Sequence, residues 1–306
     1  MPTSRFDVVI LGAGPAGLSA ALWANELGLR SKIFEAGIEA GGQLLFTFNR
    51  IENHLGTSAK NGTELRDTFL KQLSARQVEI RFDSRVSKID PDAGIILLEN
   101  GNQIAYSCLV ICTGVSRRTL GIPGEKKYAG KGILCSGKRE AEQAKGKTAL
   151  VVGGGDAAFE NALLLAEQAS KVFLVHRRSQ FAARKDFIDK VSEHPLIEIL
   201  KDTELKSIRG SETVENVFVL NKEGKEINIP VEYVVIRIGV KPNSEFVRDF
   251  VETDERGYII VESDCSTSER QIFAAGDVAN PSSPTISTAI GMGSTAVKRI
   301  CEILGC

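Results

Sequence analysis

Three histidines, two methionines and one tryptophan are all that 306 residues hold of those types, and no two cysteines stand three apart. The histidines, His54, His176 and His194, have no nucleophile elbow beside them, which excludes serine–histidine hydrolase chemistry. No metal-ligand spacing accompanies them either, so no metal is expected. The six cysteines, at 108, 112, 135, 265, 301 and 306, lack the dense spacing of a secreted disulfide framework. Neither sign of charge is in excess: 38 basic against 39 acidic residues leave a net charge of −1, which argues against a nucleic-acid-binding surface. Long apolar runs are missing too. Residues 8–24, VVILGAGPAGLSAALWA, are broken early by glycine and proline and read as strand–turn–helix rather than a membrane span. Residues 1–7 are too short and polar for a signal peptide. The expectation is a soluble, cytoplasmic protein with no membrane or nucleic-acid partner.

The sequence does contain a repeat. Residues 7–36 and 148–178 each run from a β-branched apolar strand through a glycine cluster to an alanine- and leucine-rich helix and a second apolar strand. Gly12, Gly14 and Gly17 fit G-x-G-x-x-G; Gly153, Gly155 and Ala158 fit G-x-G-x-x-A. The first glycine permits a tight turn, the second lets a pyrophosphate approach the backbone, and the third position must be small for helix–strand packing. One such trio is weak evidence, but two in the right strand-to-helix context are strong.

The ends of the second strands set the two repeats apart. Glu35 lies 23 positions after Gly12, and His176 lies 23 after Gly153. A carboxylate accepts hydrogen bonds from ribose hydroxyls and repels a 2′-phosphate. His176, Arg177 and Arg178, with Arg184 close behind, suit that phosphate instead. The first repeat is therefore assigned to an unphosphorylated adenosine ribose and the second to NADPH. An exposed basic turn with no ligand is the alternative for the second. Apolar strands ending in glycine at 107–114 and 231–246 mark the boundaries. The expected fold class is α/β, with two Rossmann-like dinucleotide-binding domains. Residues 1–114 and 246–306 form a discontinuous first domain, into which residues 115–245 are inserted.

These residues resemble the low-molecular-weight thioredoxin reductase family over nearly the whole chain. GAGPAG at 12–17, GGQL at 41–44, IENHLG at 51–56, CTG at 112–114, GGGDAA at 153–158, HRR at 176–178, IGVKPN at 238–243, IFAAGDV at 272–278 and PTISTAIGMG at 284–293 carry the likeness in order. The resemblance implies FAD, NADPH, a homodimer and hydride transfer from NADPH to the flavin. For FAD it implies Gly12, Gly14, Pro15, Ala16, Gly17, Glu35, Gly42, Gln43, Leu44, Asn53, Val86, Thr113, Gly114, Gly276, Asp277, Thr288, Ala289 and Ile290. For NADPH it implies Gly153, Gly154, Gly155, Asp156, Ala157, His176, Arg177, Arg178, Arg184, Ile238 and Gly239. On sequence alone, Gly276–Asp277 reads equally as an ordinary strand-end turn. A helix is expected to start near Ile290 and to aim its N–H groups at the flavin. The chain departs from the family at Ala182, where many members carry arginine; Arg184 is offered as its substitute.

The larger departure is at LCSGKRE, residues 134–140. Members that reduce thioredoxin carry a Cys-x-x-Cys just before the second glycine cluster, and here Cys135 stands alone. Lys138 and Arg139 could favour its thiolate and make it catalytic, or Cys135 is a small residue in a turn. Cys108 and Cys112, four apart on a strand, sit about 13 Å apart and cannot pair. Cys301 and Cys306 are too far apart on a helix to pair, unless Gly305 ends the helix and lets the chain curl back. The leading expectation is an NADPH-dependent FAD oxidoreductase whose acceptor is not thioredoxin through a local Cys-x-x-Cys. The alternatives are a ferredoxin/flavodoxin–NADP reductase, a disulfide reductase using Cys135, Cys301 or Cys306, and a non-enzymatic nucleotide-responsive redox sensor. Ferredoxin–NADP reductases of this fold often add a C-terminal aromatic ring over the flavin, and no aromatic residue follows Phe273 here.

Overall fold

The computed structural model describes residues 5–136 and 140–306. The chain forms two units, Met1–Ser116 with Lys241–Cys306, and Arg117–Val240. It crosses between them after Ser116 and after Val240.

The first unit opens with strand β1 (Phe6–Leu11), helix α1 (Pro15–Glu26) and β2 (Ser31–Phe34), in the order the apolar runs predict. Helix α2 (Gly62–Ser74) is capped by the Asn61 side chain, which accepts the Glu64 N–H at 3.0 Å. Strands β3 (Ile80–Arg81), β4 (Val86–Asp90), β5 (Ile95–Leu98) and β6 (Gln103–Ile111) follow. β3, β2, β1 and β6 are parallel, while β5 and β4 continue the sheet antiparallel. Strand β7 (Val115–Arg117) carries the chain onward.

The second unit repeats the plan. β8 (Ile133–Leu134) and β9 (Thr148–Val152) precede helix α3 (Asp156–Ala166), β10 (Lys171–Val175), helix α4 (Lys185–Ser192) and β11 (Ile197–Leu200). β12 (Glu204–Arg209), β13 (Asn216–Leu220) and β14 (Glu226–Pro230) form a separate antiparallel sheet. β15 (Tyr233–Ile236) then completes a parallel sheet of order β11-β10-β9-β15-β8. Val151, Val172 and Leu174 pack on α3 through Phe159, Ala162 and Leu165, while Leu150, Val152 and Val175 face the antiparallel sheet. Burial on both faces explains why these strands are apolar without alternation.

β16 (Val240–Pro242) returns the chain to the first unit, where β17 (Ile272–Ala274) and helix α5 (Ile286–Leu304) finish it. The nine-residue β6 pairs β5 along Gln103–Ala105 and β17 along Leu109–Ile111. Alternate residues separate two cores. Val8, Ile10, Cys108 and Val110 pack with α1 and α5, whereas Val9, Leu11, Leu109 and Ile111 pack with Ile96, Leu98 and Val251. α1 and α5 approach closely because both present small residues. A Cβ on Gly293 would lie 2.2 Å from the Ala16 carbonyl oxygen, so no side chain fits there. Gly293→Ala should cost about 1–3 kcal/mol of unfolding free energy. At the exposed Gly291 a Cβ meets nothing within 4 Å, and Gly291→Ala should add about 0.5–1 kcal/mol. Urea denaturation of the two variants checks both signs.

Candidate functional site

In the first unit, β1 ends in a turn that no side chain would permit. Gly12 holds φ +103°, and a Cβ on it would lie 2.4 Å from the Cys112 carbonyl oxygen. A Cβ on Gly17 would meet the Gly12 oxygen at 1.9 Å, so helix α1 is pressed onto the turn. Gly14 differs: its nearest neighbour would be the Gly42 Cα at 3.9 Å, leaving it open. Gly14 caps α1 with no side-chain hydrogen bond, Pro15 occupies the first helical turn, and that turn carries no acidic residue. The free N–H groups of the helix start are left for an anion.

Other elements converge on this turn. Glu35, just past β2, accepts the Ala13 N–H at 2.7 Å and the Gly37 N–H at 2.8 Å. The Gly41 N–H donates to the Ala13 carbonyl at 2.8 Å, bringing Gly42 and the 3₁₀ turn of Gln43 and buried Leu44 alongside. Gln43 Nε2 donates to the Val115 carbonyl at 2.8 Å. Gly276, after β17, fits between the first turns of two helices: its Cβ would lie 2.9 Å from Ala16 Cβ and 3.6 Å from Ala289 Cβ. Asp277 next to it is partly buried, and burial raises its carboxyl above the usual aspartate range. Val86 starts β4 and packs against the core that holds Phe34. Asn53 is exposed in the 51–59 loop, and no hydrogen bond among the described residues ties it to the turn.

Two features of this cluster differ from the sequence expectation or were missed by it. Helix α5 starts at Ile286, not near Ile290, because Thr285 and Thr288 form a reciprocal capping box. Thr288, Ala289 and Ile290 therefore lie in the first turns of the helix, with the Ile290 carbonyl accepting the Ser19 hydroxyl at 2.8 Å. Asn243 was not recognised. It donates to the Thr113 carbonyl at 2.8 Å, its own carbonyl accepts the Thr113 hydroxyl at 2.7 Å, and its N–H donates to Gly114 at 2.9 Å. Its one sequence signal was its place in the IGVKPN run.

The second unit builds a similar turn with a different filling. A Cβ on Gly153 would lie 2.2 Å from the Arg237 carbonyl oxygen, and Ala158 is fully buried beneath it. A Cβ on Gly154 would lie 2.2 Å from the His176 ring, so this glycine makes room for the imidazole. Gly155, like Gly14, is open, with nothing within 4 Å of a Cβ. His176 Nε2 lies 3.0 Å from the Gln180 carbonyl, which can only accept, so that nitrogen carries the proton. Burial, with Arg178 and Arg177 nearby, lowers its pKa and keeps the ring neutral.

Arg177 and Arg178 are exposed, with no ion pair among the described residues. Arg184 is placed otherwise. Its Nε donates to Asp156 Oδ2 at 2.8 Å and its backbone N–H to Oδ1 at 2.7 Å, and these bonds hold the Asp156 carboxyl below its ordinary range. Arg184 thus ties the start of α4 to the first turn of α3. Ala157 serves α3 through its carbonyl, which accepts from Asn161 at 2.7 Å. Ile238 and Gly239 follow β15, and the Gly239 carbonyl accepts the Arg118 N–H at 3.0 Å.

Cys135 is exposed, and its carbonyl accepts from Arg237 Nη2 at 2.6 Å and from Arg117. Burial, with Arg117 close by, lowers Arg237 to about 10. Arg237 was missed too, although a charge inside VVIRIG was a visible signal. Lys138 and Arg139 lie outside the described residues. Cys108, Cys112 and Cys265 are buried, and burial pushes all three thiols up.

Two sheets with parallel strands around a glycine turn that opens onto a helix N-terminus define a two-dinucleotide-binding fold. The chain belongs to the pyridine nucleotide-disulphide oxidoreductase family, which matches residues 6–293. Thioredoxin reductase from Dictyostelium discoideum is 36% identical over 97% of both chains. A 34.2 kDa protein in the rubredoxin operon of Clostridium pasteurianum is 32% identical over 98% of both. Among solved structures, Lactococcus lactis thioredoxin reductase in its FR conformation superposes with TM-score 0.84 at 30% identity, covering 98% of this chain and 99% of that one. The protein is an enzyme, an NADPH-dependent flavin oxidoreductase of the thioredoxin reductase-like kind, and its family uses FAD and NADPH. No helix among the described residues is long and apolar enough to cross a membrane.

Asp277 sets a pH dependence. Its raised pKa means that the folded chain holds the proton more tightly than the unfolded chain. The stability this gives is complete below the ordinary aspartate pKa and is lost as pH rises through the raised value. Asp277→Asn removes the penalty, so flavin-free variant protein should melt higher than wild type at neutral pH, and the two should converge near about pH 4. Thermal denaturation across that range is the check.

Proposed function

We propose that the first unit, Met1–Ser116 with Lys241–Cys306, holds FAD, that Arg117–Val240 holds NADPH, and that electrons leave the flavin for an external acceptor without a dithiol relay in the chain. The observation carrying this reading is that Cys135 is the one cysteine between Cys112 and Cys265, so the nicotinamide unit has no second thiol with which to form a disulfide.

The residues present suit the two groups. At the first turn, Gly14 leaves room for a pyrophosphate and the uncapped α1 supplies N–H donors. Glu35 is held by two backbone N–H groups with lone pairs to spare for ribose hydroxyls. The Asp277 carboxylate has no hydrogen-bond partner among the described residues, and a polyol chain would supply one. Gly42, Gln43, Leu44, Thr113, Gly114, Gly276 and the Thr288–Ile290 turn shape the rest, with Val86 on the adenosine side. At the second turn, open Gly155 and uncapped α3 take the pyrophosphate. Arg177 and Arg178 take the 2′-phosphate, and neutral His176 lies against Gly154 beside it. Bound FAD would supply the chemistry, taking a hydride from NADPH and passing electrons on in ones or twos.

An acceptor reached straight from the flavin is a one-electron carrier protein of the ferredoxin or flavodoxin class. A disulfide acceptor is the second reading, favoured by relatives named thioredoxin reductase at 32–36% identity. The six free thiols support a reducing, cytoplasmic setting. Exposed Phe46 and Leu55 support a homodimer.

Anaerobic NADPH titration should consume about two electrons per FAD, and about four would reveal a relay and sink the proposal. Turnover with ferredoxin or flavodoxin, against thioredoxin, then selects the acceptor. Replacing Arg177 and Arg178 by alanine should raise KM for NADPH by about 10- to 100-fold while leaving KM for NADH nearly unchanged. Steady-state kinetics with both nucleotides reads that difference.

A further inference from the structure

Helix α5 ends in a turn that brings two cysteines together. Gly305 adopts a left-handed conformation, φ 79° and ψ 30°. The Gly305 and Cys306 N–H groups both donate to the Cys301 carbonyl, at 2.9 and 3.0 Å. The Cys306 thiol reaches the same oxygen at 3.4 Å. A hydrogen bond from the sixth residue back to the first marks a Schellman ending, in which the side chains of those two residues meet. Here both are cysteine: the Cys306 Sγ lies 3.4 Å from the Cys301 carbonyl oxygen, and the neighbouring Cys306 side chain raises the Cys301 thiol above its ordinary range.

The two thiols have different surroundings. Cys301 is buried in the core shared with α1, whereas Cys306 is exposed. Cys265, the other cysteine packed near α5, donates to the Met292 carbonyl at 3.5 Å. Thr288 and Cys301 are separated by about 20 Å of helix, so the pair is out of reach of chemistry at the other end of α5.

We propose that Cys301 and Cys306 form a thiol–disulfide exchange site that reacts with small-molecule disulfides and closes into an intramolecular disulfide. The exposed Cys306 thiolate attacks one sulfur of RSSR. The S–S bond breaks, a Cys306–SR mixed disulfide forms, and RS⁻ leaves. The Cys301 thiolate then attacks the Cys306 sulfur, displacing the second RS⁻ and forming the Cys301–Cys306 bond. The two thiol protons end on two RSH; the pair loses two electrons and RSSR gains them. This couple is separate from the flavin route proposed above and needs neither NADPH nor an electron acceptor.

The test equilibrates reduced holoenzyme in glutathione buffers of rising oxidised fraction, blocks free thiols by alkylation and maps cysteines by mass spectrometry. Wild type should lose two alkylatable thiols and yield a bridged Cys301–Cys306 peptide. Cys301→Ser should stop at a glutathione adduct on Cys306, and Cys306→Ser should keep Cys301 alkylatable, with the flavin spectrum reporting that both variants fold. Gly305→Ala, which strains the left-handed turn, should lower the bridged fraction about fivefold at equal buffer composition. Three wild-type results would overturn the proposal: an adduct on Cys306 with Cys301 still free, a bridge from Cys306 to another cysteine, or no thiol loss in the most oxidising buffer.

Discussion

The first unit depends on one backbone contact, the packing of helix α1 against the turn that launches it. The gap between Gly17 and the Gly12 carbonyl oxygen has no room for a methyl group, and neither does the gap between Gly293 and the Ala16 carbonyl oxygen. These two approaches put the starts of α1 and α5 side by side. Gly276 then fits between Ala16 and Ala289, and Asp277 is delivered to the same place. Dispersion over such close contacts is individually small, but it is collected only where all the small residues coincide. The uncapped backbone N–H groups at the start of α1 stand beside that packing.

The second unit uses the same turn for a different electrostatic purpose. In the first, a carboxylate at the end of β2 is locked by two N–H donors, and no basic side chain among the described residues pairs with it. In the second, the matching position is a neutral imidazole flanked by two exposed guanidinium groups. Burial, with Arg178 and Arg177 nearby, keeps His176 uncharged, so the positive field there comes from the two guanidinium groups. Two copies of one fold thus differ in charge at a fixed distance past the glycines.

What could be read from the sequence was what local spacing encodes. The glycine trios, the strand–helix–strand order and the contrast between Glu35 and His176 each lie within about thirty residues, and periodicity shows them. The alternation of Val8 and Ile10 against Val9 and Leu11 was legible only as an apolar run, because both faces are buried. Partners distant in sequence were not legible. Asn243 meets Thr113 across 130 positions, and Arg184 meets Asp156 across 28, a pairing that charge alone could not choose among 38 basic and 39 acidic residues. The Thr285–Thr288 cap could have been found, since its two threonines stand three apart, but a threonine in place of glutamate or glutamine weakens the usual signature.

β6 reaches its full set of neighbours only when β17 pairs with Leu109–Ile111. Between those two strands in the chain lies the whole of Arg117–Val240. On the ribosome, then, the second unit emerges complete while the first still lacks β17, Asp277 and helix α5. Arg117–Val240 has all its strands and helices in hand during synthesis, whereas the other unit must wait for residues 241–306. Until β17 arrives, β6 presents an open sheet edge along Leu109–Ile111 while the other unit is already folded.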